Sequence, residues 1–145
     1  MKMTPMVDYR GGKKRRSRMN EVSDEELRQV MADFLEQGLV ENIVSMFKQE
    51  PGYYRFVGEL LRDERFRVRM GVAVLFEWLI EERPGEVELA IPYLVPLLAE
   101  ETPYLRGDTL TVLGIIGSDA ALALVREKVN DPDPQVAEIA RDLVG

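Results

Sequence analysis

Apolar residues recur along this chain in a cluster of six positions that is found three times. Within each cluster the first three positions are spaced i, i+3, i+7 and the last three i, i+4, i+7, as on one face of each of two successive helices. The clusters, in which only Thr109 is polar, are Tyr54, Val57, Leu61, Val68, Val72 and Leu75; Ile91, Leu94, Leu98, Leu105, Thr109 and Val112; and Leu122, Val125, Val129, Val136, Ala140 and Leu143. This repetition predicts stacked helical hairpins that share one core.

Helix start and stop signals divide the repeated region into three hairpins. Thr102 and Asp133 each precede a proline, and Ser118 follows a glycine, so each is a candidate N-cap. Pro92 and Pro96 lie within one predicted helix, and because proline has no backbone N–H we expect a late start or a kink there. The predicted helix pairs are 53–62 with 65–82, 87–100 with 103–116, and 119–130 with 134–144.

Two helices that do not follow the repeat precede these hairpins, within residues 21–52. Ser23 and Glu26 form a capping-box pattern at the start of the first helix, and Gly38 is the expected C′ glycine at its end. The second helix is predicted over residues 40–48. We expect these helices to close one end of the stack, with an inward face made of Leu27, Val30, Met31, Phe34 and Leu35 from the first and Ile43, Val44 and Phe47 from the second.

The composition excludes several classes of chemistry. The 145 residues contain no Cys and no His, which excludes disulfides, thiolate or imidazole metal ligands, cysteine nucleophiles and serine–histidine triads. We therefore expect no catalysis, no cofactor and no metal site. No apolar run reaches the roughly 18 residues of a membrane span, and the N-terminus lacks the apolar core of a secretory signal. These features predict a cytoplasmic protein whose residues 21–145 form one domain.

Charge is distributed unevenly along the chain. The net charge is −7, yet residues 1–20 contain seven basic residues and one acid. This segment has no helical or strand period, so we expect a disordered basic tail. Its basic residues could contact phosphate groups without sequence preference, could bind an anionic membrane surface, or could simply solubilise the chain or fold back on the acidic body. The candidate phosphate-binding residues are Lys13, Lys14, Arg15, Arg16 and Arg18.

The last repeat has an apolar helix that ends in Asp131, a D-P turn, and a helix that opens at Val136. In this pattern, from Leu113 to Gly145, it resembles the HEAT repeats, in the short form also found in phycobilin lyase-like proteins. The earlier repeats match at Asp63, Val68 and Arg69 and at Glu100, Leu105 and Arg106, whereas Ala137 replaces the expected arginine. The resemblance implies an all-α, right-handed α-α superhelix, a HEAT/armadillo-like solenoid of about four helical hairpins, namely 21–52, 53–84, 85–117 and 118–145.

The resemblance also implies roles for the charged residues at the repeat turns. Asp63 with Arg69, and Glu100 with Arg106, are expected to tie the turn inside each hairpin to its second helix rather than to bind a ligand. Asp108 occupies a position at the edge of the packed face. A half-buried carboxylate there needs a cation or backbone donors, and Arg69 or Arg106 could supply the cation.

A helix over residues 70–80 is apolar on nearly all sides, so we expect it to be buried on nearly all sides. Two neighbouring hairpins cannot cover every face of such a helix. The cap helices, a second copy of the chain or a segment of another protein could cover the rest. If a partner covers it, the expected contact residues are Met70, Val74, Phe76, Trp78 and Tyr104.

A solenoid fold without candidate catalytic residues favours a non-catalytic scaffold or adaptor that binds another protein, possible partners including a second copy. The alternative is a nucleic-acid-associated adaptor that holds phosphate with its basic tail while the acidic body recruits a protein. An enzyme is the third hypothesis, because phycobilin lyase-like and DNA-glycosylase HEAT-type proteins carry out chemistry on similar scaffolds.

Overall fold

The structure is a computed structural model, and it describes residues 22–145. This part of the chain is all-helical and contains no β-strand, which confirms the predicted all-α class. Three 3₁₀ segments accompany the α-helices, at Pro51–Phe56, Val87–Ala90 and Val95–Ala99. The α-helices are α1 Asp24–Glu36, α2 Val40–Gln49, α3 Val57–Leu61, α4 Phe66–Glu82, α5 Ile91–Leu94, α6 Pro103–Ile116, α7 Asp119–Arg126 and α8 Pro134–Val144.

The chain divides into two compact units, Met1–Val30 and Met31–Gly145. In the described part of the first unit, the backbone N–H of Ser23 donates to Glu26 Oε1 and the Glu26 N–H donates to Ser23 Oγ, both at 3.1 Å. This is the predicted capping box. Val30 is exposed, so its predicted place on the apolar face is wrong.

The second unit contains the core, and its first apolar residues are Met31, Ala32 and Leu35 of α1. Gly38 ends the α1 region with a φ of 83°, the left-handed conformation expected of a C′ glycine. The predicted inward residues of α2 are all buried: Ile43, Val44 and Phe47.

The repeated apolar positions form the core in the predicted register. All six positions of the first repeat are buried, as are most of those in the other two. Thr109 is fully buried, and its hydroxyl donates to the Leu105 carbonyl oxygen at 2.7 Å, so the one polar member is satisfied within its own helix. The half-buried members are Ile91, Leu122, Val129 and Leu143.

Within Met31–Gly145 the second helices of successive hairpins contact one another in chain order, α2 with α4, α4 with α6, and α6 with α8. They run parallel. Gly107 and Gly114 of α6 face Ile139 and Leu143 of α8 in the same order along the chain. Lys48 and Glu82 form an ion pair between the C-terminal ends of α2 and α4. Arg69 and Asp108 pair near the N-terminal ends of α4 and α6. On the other side of the core, Pro51–Phe56 and α3 contact Val87–Ala90 and α5, while α7 packs on α6 and α8.

The proline-containing helix is interrupted, as predicted. Pro92 lies in the single turn of α5, and Pro96 lies in the 3₁₀ segment that follows it. This irregular segment approaches α3 closely at Gly58, where an added Cβ would lie 2.6 Å from the Tyr93 carbonyl oxygen. A side chain at residue 58 would therefore push the two segments apart.

All three predicted N-cap residues occupy the N-cap position of their helix, and two of them cap it with a side chain. Asp133 Oδ1 accepts hydrogen bonds from the N–H groups of Gln135 and Val136, and Ser118 Oγ accepts one from Ala121. Thr102 occupies the N-cap position of α6, but its side chain accepts no capping hydrogen bond. In the described part of the chain, no helix is both long and apolar enough to cross a membrane. The cytoplasmic location stays a prediction.

Candidate functional site

The structure separates the predicted contact residues of α4 into surface and core. Met70 is 51% exposed, Trp78 is 39% exposed and Val74 is half-buried. Phe76 is fully buried and meets the Tyr54 ring edge to face, with the ring centroids 6.0 Å apart. Its place in the contact set is therefore wrong, because Phe76 lies nearly opposite Val74 and Trp78 around α4 and fills the core.

Neighbouring helices cover α4 on its flanks but leave its outer side open. On one flank, a Cβ added to Gly71 would lie 2.9 Å from the Leu35 Cβ, so the end of α1 packs directly on the α4 backbone. On the other flank α6 contacts α4. Within one copy of the chain, α4 is therefore covered on its flanks only, and its apolar outer residues remain in contact with solvent.

Five residues on the outer side of α4 form a row that we call the α4 stripe: Arg67, Met70, Val74, Trp78 and Glu81. Their spacing of i, i+3, i+7, i+11 and i+14 keeps all five on one side of the helix, as in the seam of a coiled coil. Phe66 and Glu77 are also exposed and lie beside this row. Arg67 and Glu81 are exposed, and neither forms an ion pair or a side-chain hydrogen bond among residues 22–145.

A groove of about 610 Å³ lies beside the N-terminal half of the α4 stripe. Apolar side chains from both of its walls line it, namely Leu35, Val40, Phe66, Met70 and Val74. Phe66 is 62% exposed, which makes it the most exposed large apolar residue in the described chain. Phe66 was not among the predicted contact residues, although it precedes Met70 by one helical turn and is therefore on the same side of α4.

Arg65 fixes the two walls of this groove relative to each other. Its guanidinium donates to Asp63 in the turn before α4, at 2.9 Å, and to Asp33 and Glu36 at the end of α1, at 3.0 and 2.9 Å. These carboxylates raise the pKa of Arg65, and the hydrogen bond that Arg65 donates to Asp63 is the largest cause. These ion pairs link the end of α1 to the start of α4 beside the groove.

Tyr104, the remaining predicted contact residue, does not lie on the α4 stripe. It is exposed at the start of α6, and the Arg69 guanidinium stacks over its ring at 4.3 Å from the centroid. The same guanidinium lies 5.8 Å from the Phe66 ring. Tyr104 therefore holds Arg69 by a cation–π contact between α4 and α6, at some distance from Met70 and Trp78.

Arg69 ties its hairpin turn to α4 as expected, but through main-chain atoms. Its Nη1 donates to the carbonyl oxygens of Asp63 and Glu64, both at 3.0 Å. The predicted pair with the Asp63 carboxylate is not observed, because that carboxylate binds Arg65 instead. The Arg69 Nε donates to Asp108 Oδ2 at 2.8 Å, so Arg69 is the cation that Asp108 requires.

Arg106 repeats this arrangement one hairpin later. Its Nη1 donates to the carbonyl oxygens of Glu100 and Glu101, at 2.7 and 3.1 Å. The Glu100 carboxylate pairs with Arg62 rather than with Arg106. Arg106 instead donates hydrogen bonds from Nε and Nη2 to the Asp131 carboxylate, at 2.9 and 2.8 Å. Each arginine therefore joins its own turn to the following hairpin.

The two acids in this series differ in environment. Burial raises the pKa of Asp108, and Arg69 only partly opposes the shift. The Arg106 hydrogen bond lowers the pKa of Asp131, whose side chain is 1% exposed. Both carboxylates are paired and lie between hairpins, so they hold the stack together. Ala137, which replaces the next arginine, ends the series.

The predicted phosphate-binding residues fall within residues 1–20 of the chain. Lys13, Lys14, Arg15, Arg16 and Arg18 lie outside the described residues, so their role and the predicted tail stay predictions. Among the residues that the structure describes, no group of three or more Asp, Glu, His or Cys side chains could hold a metal ion.

No protein-family model matches the chain. Neither a curated protein nor a solved structure matches it significantly. The resemblance to HEAT repeats depends on the repeat pattern alone and stays a prediction.

Proposed function

We propose that this protein is a non-catalytic interaction module that binds another protein through the α4 stripe and the groove beside it. The observation that carries the proposal is the exposure of Met70 and Trp78 on a helix whose other side fills the core. Met and aromatic residues are enriched in protein interfaces, and a contiguous apolar row rimmed by charges marks a contact surface.

The arrangement of the second helices supports a HEAT-like solenoid as the scaffold for this surface. Parallel helices α2, α4, α6 and α8 contact their neighbours in series, and Arg69 and Arg106 repeat the same contacts one hairpin apart. In a solenoid, each repeat contacts only its neighbours, and the side-by-side helices form an extended binding surface. The α4 stripe lies within that row of helices.

A photoreactive amino acid introduced at position 70 tests the proposal in cells that produce the protein. Irradiation should cross-link the chain to a protein, and mass spectrometry would identify it. The matched control carries the same amino acid at Tyr93, an exposed aromatic position on α5, away from α4. Equal cross-linking at both positions, or none at position 70, would contradict the proposal.

The nucleic-acid-associated adaptor is the alternative proposal, and the charge contrast between residues 1–20 and the rest of the chain supports it. Binding to generic duplex DNA through such a tail must weaken steeply with salt. Titrations of the full chain and of a chain that lacks residues 1–20, at two salt concentrations, test it. Salt-independent binding, or equal binding by the shortened chain, would contradict this alternative.

A further inference from the structure

We propose that the protein bound by the α4 stripe is a second copy of this chain, packed antiparallel to the first about a twofold axis at Val74. The inference rests on the proposed function, because it names the partner of the same surface. A twofold contact places one surface patch against itself, so the patch must be complementary to its own reversed copy. The α4 stripe has this property in both its apolar and its charged positions.

The apolar positions of the α4 stripe are symmetric about its centre. Met70 and Trp78 lie equally far from Val74 along the helix, one on each side. In an antiparallel pair of α4 helices, Met70 of each copy therefore faces Trp78 of the other, with the two Val74 side chains between them. A Met against an indole ring gives a favourable sulfur–aromatic contact, so each large side chain meets a suitable neighbour.

The charged ends of the α4 stripe are complementary in the same register. Arg67 and Glu81 also lie equally far from Val74, and they carry opposite charges. An antiparallel partner places Arg67 of each copy against Glu81 of the other, which gives two ion pairs per dimer. In a parallel pair, like charges would face each other and oppose association.

These two charges cannot neutralise each other within one copy. Arg67 and Glu81 are about 21 Å apart along the α4 axis, beyond the reach of their side chains. Neither has an ionic partner elsewhere in residues 22–145, although most of the arginines around them are paired. A second copy supplies both missing partners at once, together with cover for the exposed apolar residues between them.

Charge reversal in the full chain tests this pairing. Light scattering from about 1 to about 100 μM brackets a micromolar dissociation constant, and the wild type should approach twice its 16.6 kDa mass over this range. Arg67→Glu and Glu81→Arg should each raise the dimer dissociation constant at least about tenfold, because each places like charges opposite one another twice. The double variant should restore wild-type dimerisation, since its ion pairs are reversed but intact.

The controls separate this inference from misfolding and from the proposed function. Arg126→Glu makes the same charge change on an exposed residue of α7 and should leave the mass unchanged. Restored mass in the double variant also shows that the substitutions do not prevent folding. A wild type that is monomeric throughout, or a dimer that ignores the single reversals or is not restored by the double one, would overturn the inference. Cross-links from position 70 to a different protein would then leave the proposed function standing.

Discussion

The guanidinium of Arg106 and the carboxylate of Asp131 form a two-point ion pair between the second and third hairpins. Nε–Oδ2 and Nη2–Oδ1 are 2.9 and 2.8 Å apart, and the Asp131 side chain is almost completely excluded from solvent. The third nitrogen of the same guanidinium holds the Glu100 and Glu101 carbonyls. One side chain therefore closes a turn and joins two repeats.

Arg106→Gln should lower the free energy of unfolding by about 2 to 4 kcal/mol, because it leaves the buried Asp131 carboxylate without its cation. Arg69→Gln is the matched comparison. It removes the equivalent contacts one repeat earlier, but the Asp108 side chain is 35% exposed and water can replace its cation. We expect a loss of about 1 to 2 kcal/mol. Urea unfolding followed by circular dichroism measures both, and a larger loss for Arg69→Gln would contradict this account of the pair.

The same two acids should give opposite pH dependence. The pKa of Asp131 is lowered in the folded chain, so its contribution to stability is full above the ordinary value of 3.8 and is lost as the pH falls through the lower folded value. Asp131→Asn should therefore be less stable than the wild type at pH 7, and the difference should shrink below pH 3.8.

For Asp108 the sign is reversed, because its pKa is raised by burial. Folding favours its neutral form over its ionised form, so the wild type should gain stability relative to Asp108→Asn as the pH falls from neutrality towards 3.8. Unfolding measured from pH 7 to pH 3 for the wild type and the two variants tests both signs. Parallel pH curves for the two Asn variants would be inconsistent with the distinct environments of these acids.

Alanine substitutions at two glycines should differ in their cost to stability, because one glycine faces a backbone atom and the other faces a side chain. Gly58→Ala places a Cβ 2.6 Å from the Tyr93 carbonyl oxygen, so the chain must shift, at a net cost of about 1 to 3 kcal/mol. Gly114→Ala places its Cβ 2.5 Å from Leu143 Cδ2, the end of a side chain that can rotate. We expect it to cost less than Gly58→Ala, because the gain in helix propensity offsets the smaller strain. Thermal unfolding of the two variants should rank them in this order.

The repeat register is tested by Leu105→Ala, which removes a side chain that is only 7% exposed. It should cost about 2 to 5 kcal/mol through lost burial and a residual cavity. Gln135→Ala, at an exposed position next to the equivalent Val136, should change stability by no more than about 0.5 kcal/mol. Hydrogen exchange should also quicken around Leu61 and Val129 in the Leu105 variant, since stacked hairpins stabilise their neighbours. A change confined to α6 would contradict the stacking.

The helices and the core register could be predicted from the sequence because the apolar spacing reports which side of each helix is buried. The same reasoning failed where one helix has two apolar sides. Phe76 and Trp78 are both aromatic and only two residues apart, so they lie on nearly opposite sides of α4, and composition alone does not say which side faces the core. The positions of α2, the end of α1 and α6 decide it.

The sequence also could not predict which carboxylates pair with the charged residues at the repeat turns. The pattern placed Arg69 near Asp63 and Arg106 near Glu100, and both arginines do lie at those turns. Arginine has five donors, however, and the carbonyls left free at a helix end compete with carboxylates for them. The cross-hairpin acids Asp108 and Asp131 could be chosen only once the distances between hairpins were known.

The central claim is that a protein covers the α4 stripe, and methionine oxidation by peroxide measures this most directly. Met70 is exposed in the single chain, Met46 is half-buried and Met31 is fully buried. Mass spectrometry of one proteolytic digest therefore compares the oxidation of three methionines in different environments. In the dilute purified chain, we expect Met70 to oxidise faster than Met46. In intact cells, the ratio of Met70 oxidation to Met46 oxidation should be several-fold lower, and Met31 should be protected in both conditions. A Met70 to Met46 ratio that is the same in cells and in dilute solution would contradict the claim.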